Sequence, residues 1–193
     1  MKNIILASKS PRRIALLRKI GLKFKVEASR YSENLNLKLN PRLLARVLSA
    51  GKAEDVAARH KNAIIIAADT VVVSGKKILG QPRSKTEAKK MLKMLSGRSH
   101  KVITGFTIMD TATGRKISGA EETKVFFRKL SGEEIESYVN SGEPMGKAGA
   151  YAVQGLGAVI VRRIEGDYFN VVGLPLNSLT EALKKFGVSV LQV

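Results

Sequence analysis

The chain has 193 residues, no cysteine and no tryptophan, and 34 lysines and arginines against 16 acids, a net charge of +18. That length suits one domain, or two lobes on one sheet, and the missing thiols exclude a disulfide frame, a thiolate metal site and a thiol nucleophile. No apolar run approaches the roughly 18 residues of a bilayer span, and the N-terminal segment turns polar too soon for a signal peptide, so a soluble cytoplasmic protein is expected.

Ile4, Ile5 and Leu6 predict a short buried strand. A helix follows over PRRIALLRKI, with Ser10 as N-cap, Pro11 at the first helical position and Gly21 as a left-handed cap. Arg12 and Arg13 then stand in the first turn, the end that the helix dipole already makes positive. They are either a solvated pair or, with free backbone N–H groups, a site for an anion such as phosphate. KFKVEA (23–28) reads as a second strand and residues 29–40 as a polar loop. Residues 41–60 carry helical spacing with Pro41 near the start. AIIIAADTVVV (63–73) is a continuous apolar and β-branched run, suited to a buried central strand.

SGKK (74–77) makes a turn, and SKTEAKKMLKMLSG (84–97) a helix with Ser84 and Glu87 as a capping box and Gly97 at its end. Residues 100–110 and 116–130 are long strands joined through TATG as a hairpin. Ser131 and Glu134 box another helix. GAVIVRRIEG (157–166) reads as a strand, and a last helix begins at Pro175. The irregular alternation with one hairpin predicts an α/β fold on a mixed sheet, in a single domain over residues 1–193.

Charge is concentrated early: residues 1–60 hold 14 basic and 4 acidic side chains, and the remaining 133 hold 20 and 12. Such an excess attracts nucleic acid, nucleotides or an anionic surface. Asp69 interrupts the most apolar run of the chain, where an ionised carboxylate is costly unless paired, metal-bound or at a strand end. It is a candidate metal ligand or general base, with Thr70 beside it as a substrate contact; the alternative is a local turn bond. Glu33 is by itself a loop acid, and Lys52 by itself a solvated helix lysine. GKAGAYAVQG (146–155) lacks the spacing of a P-loop, and its small residues point to close backbone approach. Gln154 there could read the polar edge of a base. His60 and His100 share no metal-binding frame, and no serine sits in a nucleophile elbow. Basic side chains with a few carboxylates fit phosphoryl or nucleotidyl hydrolysis, in which a divalent ion bridges acids and phosphates.

Taken together, SKSPRR (8–13), GKA (51–53), AADT (67–70), GEPMGKAGAYAVQG (142–155) and GDYFNVVGLPL (166–176) resemble the Maf family of nucleoside triphosphate pyrophosphatases. The resemblance implies a cytoplasmic enzyme of nucleotide-pool house-cleaning that uses a divalent cation, Mg²⁺ or Mn²⁺. It would cut a triphosphate between its α and β phosphates. The implied fold is a long mixed sheet flanked by helices, Maf/ITPase-like, in two lobes around a cleft, and a homodimer is common. By position, Asp69 resembles the family's proton acceptor, and Ser8, Arg13, Glu33 and Lys52 its cleft residues; Glu33 and Asp69 are then expected to hold the divalent ion. Arg12, Thr70 and Gln154 match the branch that acts on dTTP and UTP; the branch for 7-methyl-GTP has tryptophan, glutamine and glutamate there. Gln81, in LGQPRS, stands where the family usually has lysine, with Arg83 and Lys85 as potential substitutes. Against this stands a basic nucleic-acid-binding module with a degenerate site, motivated by the charge and by Gln81. The expected partner is a nucleoside triphosphate, with no membrane and no specific nucleic acid.

Overall fold

The β-branched run at the centre of the sequence forms β3 (Ala63–Ser74), and the other strands are arranged about it. The computed structural model describes residues 2–191. The strands are β1 (Asn3–Leu6), β2 (Lys25–Val26), β3, β4 (Lys77–Leu79), β5 (Ser99–Asp110), β6 (Lys116–Phe127) and β7 (Val161–Glu165). The helices are α1 (Pro11–Lys19), α2 (Pro41–Ala57), α3 (Lys85–Leu95), α4 (Gly132–Asn140), α5 (Tyr168–Val172) and α6 (Leu176–Lys184). Strand order is β2-β1-β3-β5-β6-β7, with β4 also on β3. β1 runs parallel to β2 and β3, and the remaining pairs are antiparallel, giving the mixed sheet that was expected.

The two edges of β3 are unlike. β5 pairs with one edge from Ile64 to Val73. On the other edge, β1 covers Ala63–Ile66 and β4 covers Val72–Ser74, so residues 67–71 face no strand there. Period-two alternation divides the side chains between two faces. Ala63, Ile65 and Ala67 pack with Ala53, Val56 and Ala57 of α2, while Val71 and Val73 pack with Leu44 and Leu48 of the same helix. On the opposite face, Ile64, Ile66 and Ala68 join α1 and α6 through Leu16, Leu17, Leu179 and Leu183. Val72 instead joins α3 and α4 through Leu92, Leu95, Ile135 and Val139. Each fully buried isoleucine contributes about 2 kcal/mol relative to exposure. The apolar clusters change over at residues 69 and 70 on both faces, and that boundary is the divide between the lobes.

Local signals account for most helix ends. α1 closes in a Schellman motif: Leu22 N–H donates to Leu17 C=O at 3.2 Å, Gly21 N–H to Arg18 C=O at 2.9 Å, and Gly21 has φ of 72°. The Ser131–Glu134 capping box forms. Elsewhere the structure departs from the expectation. Glu87 accepts from Arg83 N–H at 2.7 Å and so reaches one residue before the Ser84 cap. Pro175 is the N-cap of α6 and lies just outside the helix. The strand expected over 23–28 pairs only at Lys25 and Val26, both exposed beside the short β1. The strand expected over 157–166 begins at Val161. Residues 155–159 form a 3-10 turn because the Glu143 carboxylate takes the N–H groups of Leu156 and Gly157, at 2.9 and 2.8 Å. α5 has no counterpart among the elements expected from the sequence; Asp167 caps it by accepting from Phe169 N–H at 2.7 Å.

Candidate active site

Where β3 lacks an edge partner, the molecule opens into a cleft of about 840 Å³, lined by Ser8, Arg12, Arg13, Glu33, Lys52, Asp69, Thr70 and Gln154. Asp69 is 5% exposed and lies on the α2 face, between the two apolar clusters of that face. Its carboxylate is ion-paired with Lys52 Nζ, which also lies 2.6 Å from Glu33 Oε1. Burial pushes the Asp69 carboxyl up, against the pull of Lys52, with Glu33 pushing the same way as burial. Burial thus makes this carboxylate a better proton acceptor than a free one, while the Lys52 ammonium beside it favours the ionised form.

The GKA motif explains how Lys52 and Glu33 meet. Ala53 is buried against β3, which turns Lys52 toward the cleft. A Cβ on Gly51 would stand 2.4 Å from Tyr31 Cε2, so glycine admits the ring that seats the Glu33 loop on α2. Asp55, one turn on, takes Arg30 N–H at 2.8 Å and Ser29 Oγ–H at 2.9 Å. Those bonds with Arg59 hold its carboxyl down to about 2. Opposite Asp69 on β5 is Gly105, whose Cβ would lie 2.2 Å from Ala45 C=O, so glycine lets α2 reach this depth.

Arg12 and Arg13, adjacent in sequence, part company in the structure. Arg13 donates from Nε to Gly173 C=O (2.8 Å), from Nη1 to Ala68 C=O (2.8 Å) and more weakly to Ser8 Oγ (3.4 Å), and from Nη2 to Thr70 Oγ1 (3.0 Å). It clasps the open edge of β3 on both sides of Asp69, which leaves it one free N–H for a ligand. Thr70 is committed as well. Thr104 Oγ1 donates to Asn170 C=O at 2.9 Å, so the Thr70 hydroxyl proton goes to Thr104 Oγ1, also 2.9 Å away. Ser8 Oγ accepts from Ser10 N–H and Arg13, and its own proton is available to a ligand.

Several residues carry the site without having been singled out. Asn170, fully buried, takes Thr104 N–H on Oδ1 and donates from Nδ2 to Val102 C=O and Thr123 Oγ1. It ties α5 to the sheet, and α5 delivers the Gly173 carbonyl to Arg13. Its one sequence signal is the GDYFNVVGLPL block. Glu143 holds the 3-10 turn that carries Gln154 at its N-cap; the Gln154 side chain makes no cap bond there and lines the cleft. Burial alone would raise Glu143, but the N–H of Gly157, Tyr138 O–H and the N–H of Leu156 bring it below the usual range. Gln81 lines the cleft, whereas Arg83 and Lys85 do not; Lys85 Nζ reaches Asn140 Oδ1 at 3.3 Å, and Lys147 is the cation on the adjoining wall.

A divalent ion fits this donor set in one mode. Among the described residues no three His, Cys, Asp or Glu side chains cluster. Glu33 and Asp69 nevertheless share one ammonium, a stand-in cation showing that both carboxylates can address one positive charge. Mg²⁺ is commonly held by one or two carboxylates with substrate phosphates completing the shell.

A family model described as Maf-like protein matches residues 3–186. The chain belongs to the Maf family. The dTTP/UTP pyrophosphatase of Methanosarcina barkeri is 50% identical to this Maf protein over 193 residues, 100% of this chain and 98% of the relative. That of Carboxydothermus hydrogenoformans is 53% identical over 184 residues, 95% and 98% of the two chains. The solved Ham1 protein of Staphylococcus aureus shares the fold at 12% identity, with a TM-score of 0.56 over 96% of this chain and 100% of that one. No helix among the described residues is long and apolar enough to cross a membrane.

Proposed function

We infer that this Maf protein is a pyrophosphatase of dTTP and UTP, releasing the nucleoside monophosphate and pyrophosphate. Its expected place of action is the cytoplasm, where its triphosphate substrates are made. The observation that carries the reading is the buried Asp69, paired with Lys52 and flanked by Arg13 at the open edge of β3, inside a cleft of nucleotide size. The pyrimidine substrates follow from relatives about half identical along essentially the whole chain.

Asp69 accepts a proton from the water that attacks the α-phosphorus, and its burial supplies the basicity for that step. Lys52, between Asp69 and Glu33, keeps Asp69 ionised and offsets negative charge as it grows on the phosphoryl oxygens. Arg13 holds the Ala68 carbonyl and the Thr70 hydroxyl, one on either side of the base, so that the carboxylate does not shift during turnover. Glu33 and Asp69 would hold Mg²⁺ or Mn²⁺, which when bound polarises phosphate oxygens and neutralises their charge. Gln154 presents an amide with both donors and an acceptor to the uracil-type ring.

Purified protein with Mg²⁺ or Mn²⁺ is offered dTTP, UTP, 5-methyl-UTP, pseudo-UTP and purine triphosphates, with separate detection of pyrophosphate and orthophosphate. Pyrophosphate from the pyrimidine triphosphates is the expected product. Orthophosphate release, or no turnover of any pyrimidine triphosphate, overturns the assignment.

A further inference from the structure

Gln154 is the residue to which the pyrophosphatase reading gives the base, and its backbone is held from both sides by Tyr138 and Glu143. Tyr138, on α4, accepts Ala152 N–H at 3.1 Å and donates its own proton to Glu143 Oε1 at 2.8 Å. The Glu143 carboxylate accepts Gly157 N–H on the same oxygen at 2.8 Å and Leu156 N–H on Oε2 at 2.9 Å. The chain is thus fixed at Ala152 before Gln154 and at Leu156 and Gly157 after it, and the phenol–carboxylate bond closes the clasp between the two ends.

The clasp is built at close quarters. Gly155 sits at φ of 67°, and a Cβ there would collide with Glu143 Oε2; a Cβ on Gly157 would collide with Ala152 C=O and stand 2.7 Å from Tyr138 Oη. Glycine at both positions lets the loop lie against the pair. The pair is itself anchored at the end of α4. Tyr138 is buried, Ser141 Oγ–H donates to Tyr138 C=O at 2.7 Å, and Glu143 N–H donates to Ser141 Oγ at 3.2 Å.

Three donors converge on the Glu143 carboxylate, which as an ionised acid carries acceptors only. An amide in its place would turn an NH₂ toward at least one of them. The Gln154 side chain is the opposite case: it makes no cap bond and lines the cleft. A half-turn of an amide exchanges its donor and acceptor ends, so what Gln154 selects is set by where its backbone stands. Sites of this kind need a supporting shell that locks the residue meeting the ligand.

We propose that Tyr138 and Glu143 are positioning residues for base recognition: their hydrogen-bonded pair fixes residues 152–157 and with them the depth at which the Gln154 amide meets the uracil-type ring. The proposal rests on the pyrophosphatase reading and concerns the base alone. The phosphate chemistry belongs to Asp69 on β3 and Lys52 on α2, neither of which the clasp touches.

The test is calorimetric titration of uridine monophosphate, and separately of inorganic pyrophosphate, which has no base, into the full chain in Mg²⁺ buffer. Glu143→Gln and Tyr138→Phe are each expected to weaken uridine monophosphate about tenfold, the effect of one hydrogen bond lost to the ring, with pyrophosphate within about twofold. Gln154→Ala should cost about as much. Adding Glu143→Gln to Gln154→Ala should cost no more than about twofold further, because the clasp acts only through the amide it positions. In UTP hydrolysis the loss should fall on KM, raised about tenfold, rather than on kcat. Uridine monophosphate binding that is absent from the wild type, or unchanged in both single variants, overturns the proposal. So does an additive loss in the double variant, or a parallel loss of pyrophosphate, since the pair would then support the cleft as a whole. UTP hydrolysis with an unchanged KM in both variants leaves the reaction standing and the clasp fallen. The expected binding pattern in a protein that hydrolyses no pyrimidine triphosphate leaves the clasp standing and the reaction fallen.

Discussion

Asn170→Ala tests the link between the fold and the cleft. Asn170 is fully buried, and its amide makes three bonds: Thr104 N–H to Oδ1 at 3.0 Å, and Nδ2 to Val102 C=O at 3.0 Å and to Thr123 Oγ1 at 2.8 Å. At about 1 kcal/mol for each net bond, alanine removes roughly 3 kcal/mol, and a Thr104 N–H left without an acceptor adds about 1 to 3 more. That is a large part of the 5–15 kcal/mol that usually separates folded from unfolded states. Urea unfolding followed by circular dichroism reads it directly. With a slope near 2 kcal/mol per molar, the midpoint should fall by about 2 to 3 M at unchanged slope. Asn170→Asp should be no better, because it sets a carboxylate oxygen against the Val102 carbonyl in place of a donor. Activity should fall with stability, since α5 carries the Gly173 carbonyl that receives Arg13 Nε. A midpoint shift worth less than about 1 kcal/mol would refute the claim that this amide joins α5 to the sheet.

Further expectations concern the base, the helix seat and pH. Asp69→Asn should lower kcat by about 10²- to 10⁴-fold with the fold intact by circular dichroism, and a variant within tenfold of wild type would remove Asp69 as the base. Gly105→Ala places a Cβ 2.2 Å from Ala45 C=O, so α2 must move; overpacking of this kind costs about 1–3 kcal/mol, read by thermal melting together with a fall in kcat/KM, and an unshifted melt would contradict the contact. Burial holds the His100 imidazole down to about 4, and its Nδ1 has no partner among the described residues. The folded state therefore prefers neutral His100: its contribution is complete above pH 6.5 and is lost as pH falls toward 4, on the order of 3 kcal/mol at the acid end. His100→Gln abolishes that titration, so the stability difference between wild type and variant should shrink from pH 7 to 4 in urea unfolding; a flat difference would count against a neutral, buried histidine.

Element type was legible from the chain because it depends on neighbours within a turn or a strand. The β-branched run of 63–73 forms a central strand under almost any packing, and proline, glycine and Ser/Glu pairs mark helix ends by bonding to their own backbone. Asp69 was conspicuous for the same local reason, as an acid inside an apolar run. What the chain could not show is who meets whom across 13 to 160 residues. Arg13 bonds to residues 68, 70 and 173, and the Glu143 carboxylate reorganises residues 155–159, which local pattern reads as strand. Thr70 is marked by position as a substrate contact, yet its proton is spent on Thr104, which only the pairing of β3 with β5 brings within reach. Local propensity is set by backbone sterics and nearby hydrogen bonds, so sequence alone settled most of the elements and the presence of an anion-seeking, acid-bearing centre. The division of labour among its cations depends on which distant acceptors fill each donor first, and that was decided by the tertiary structure.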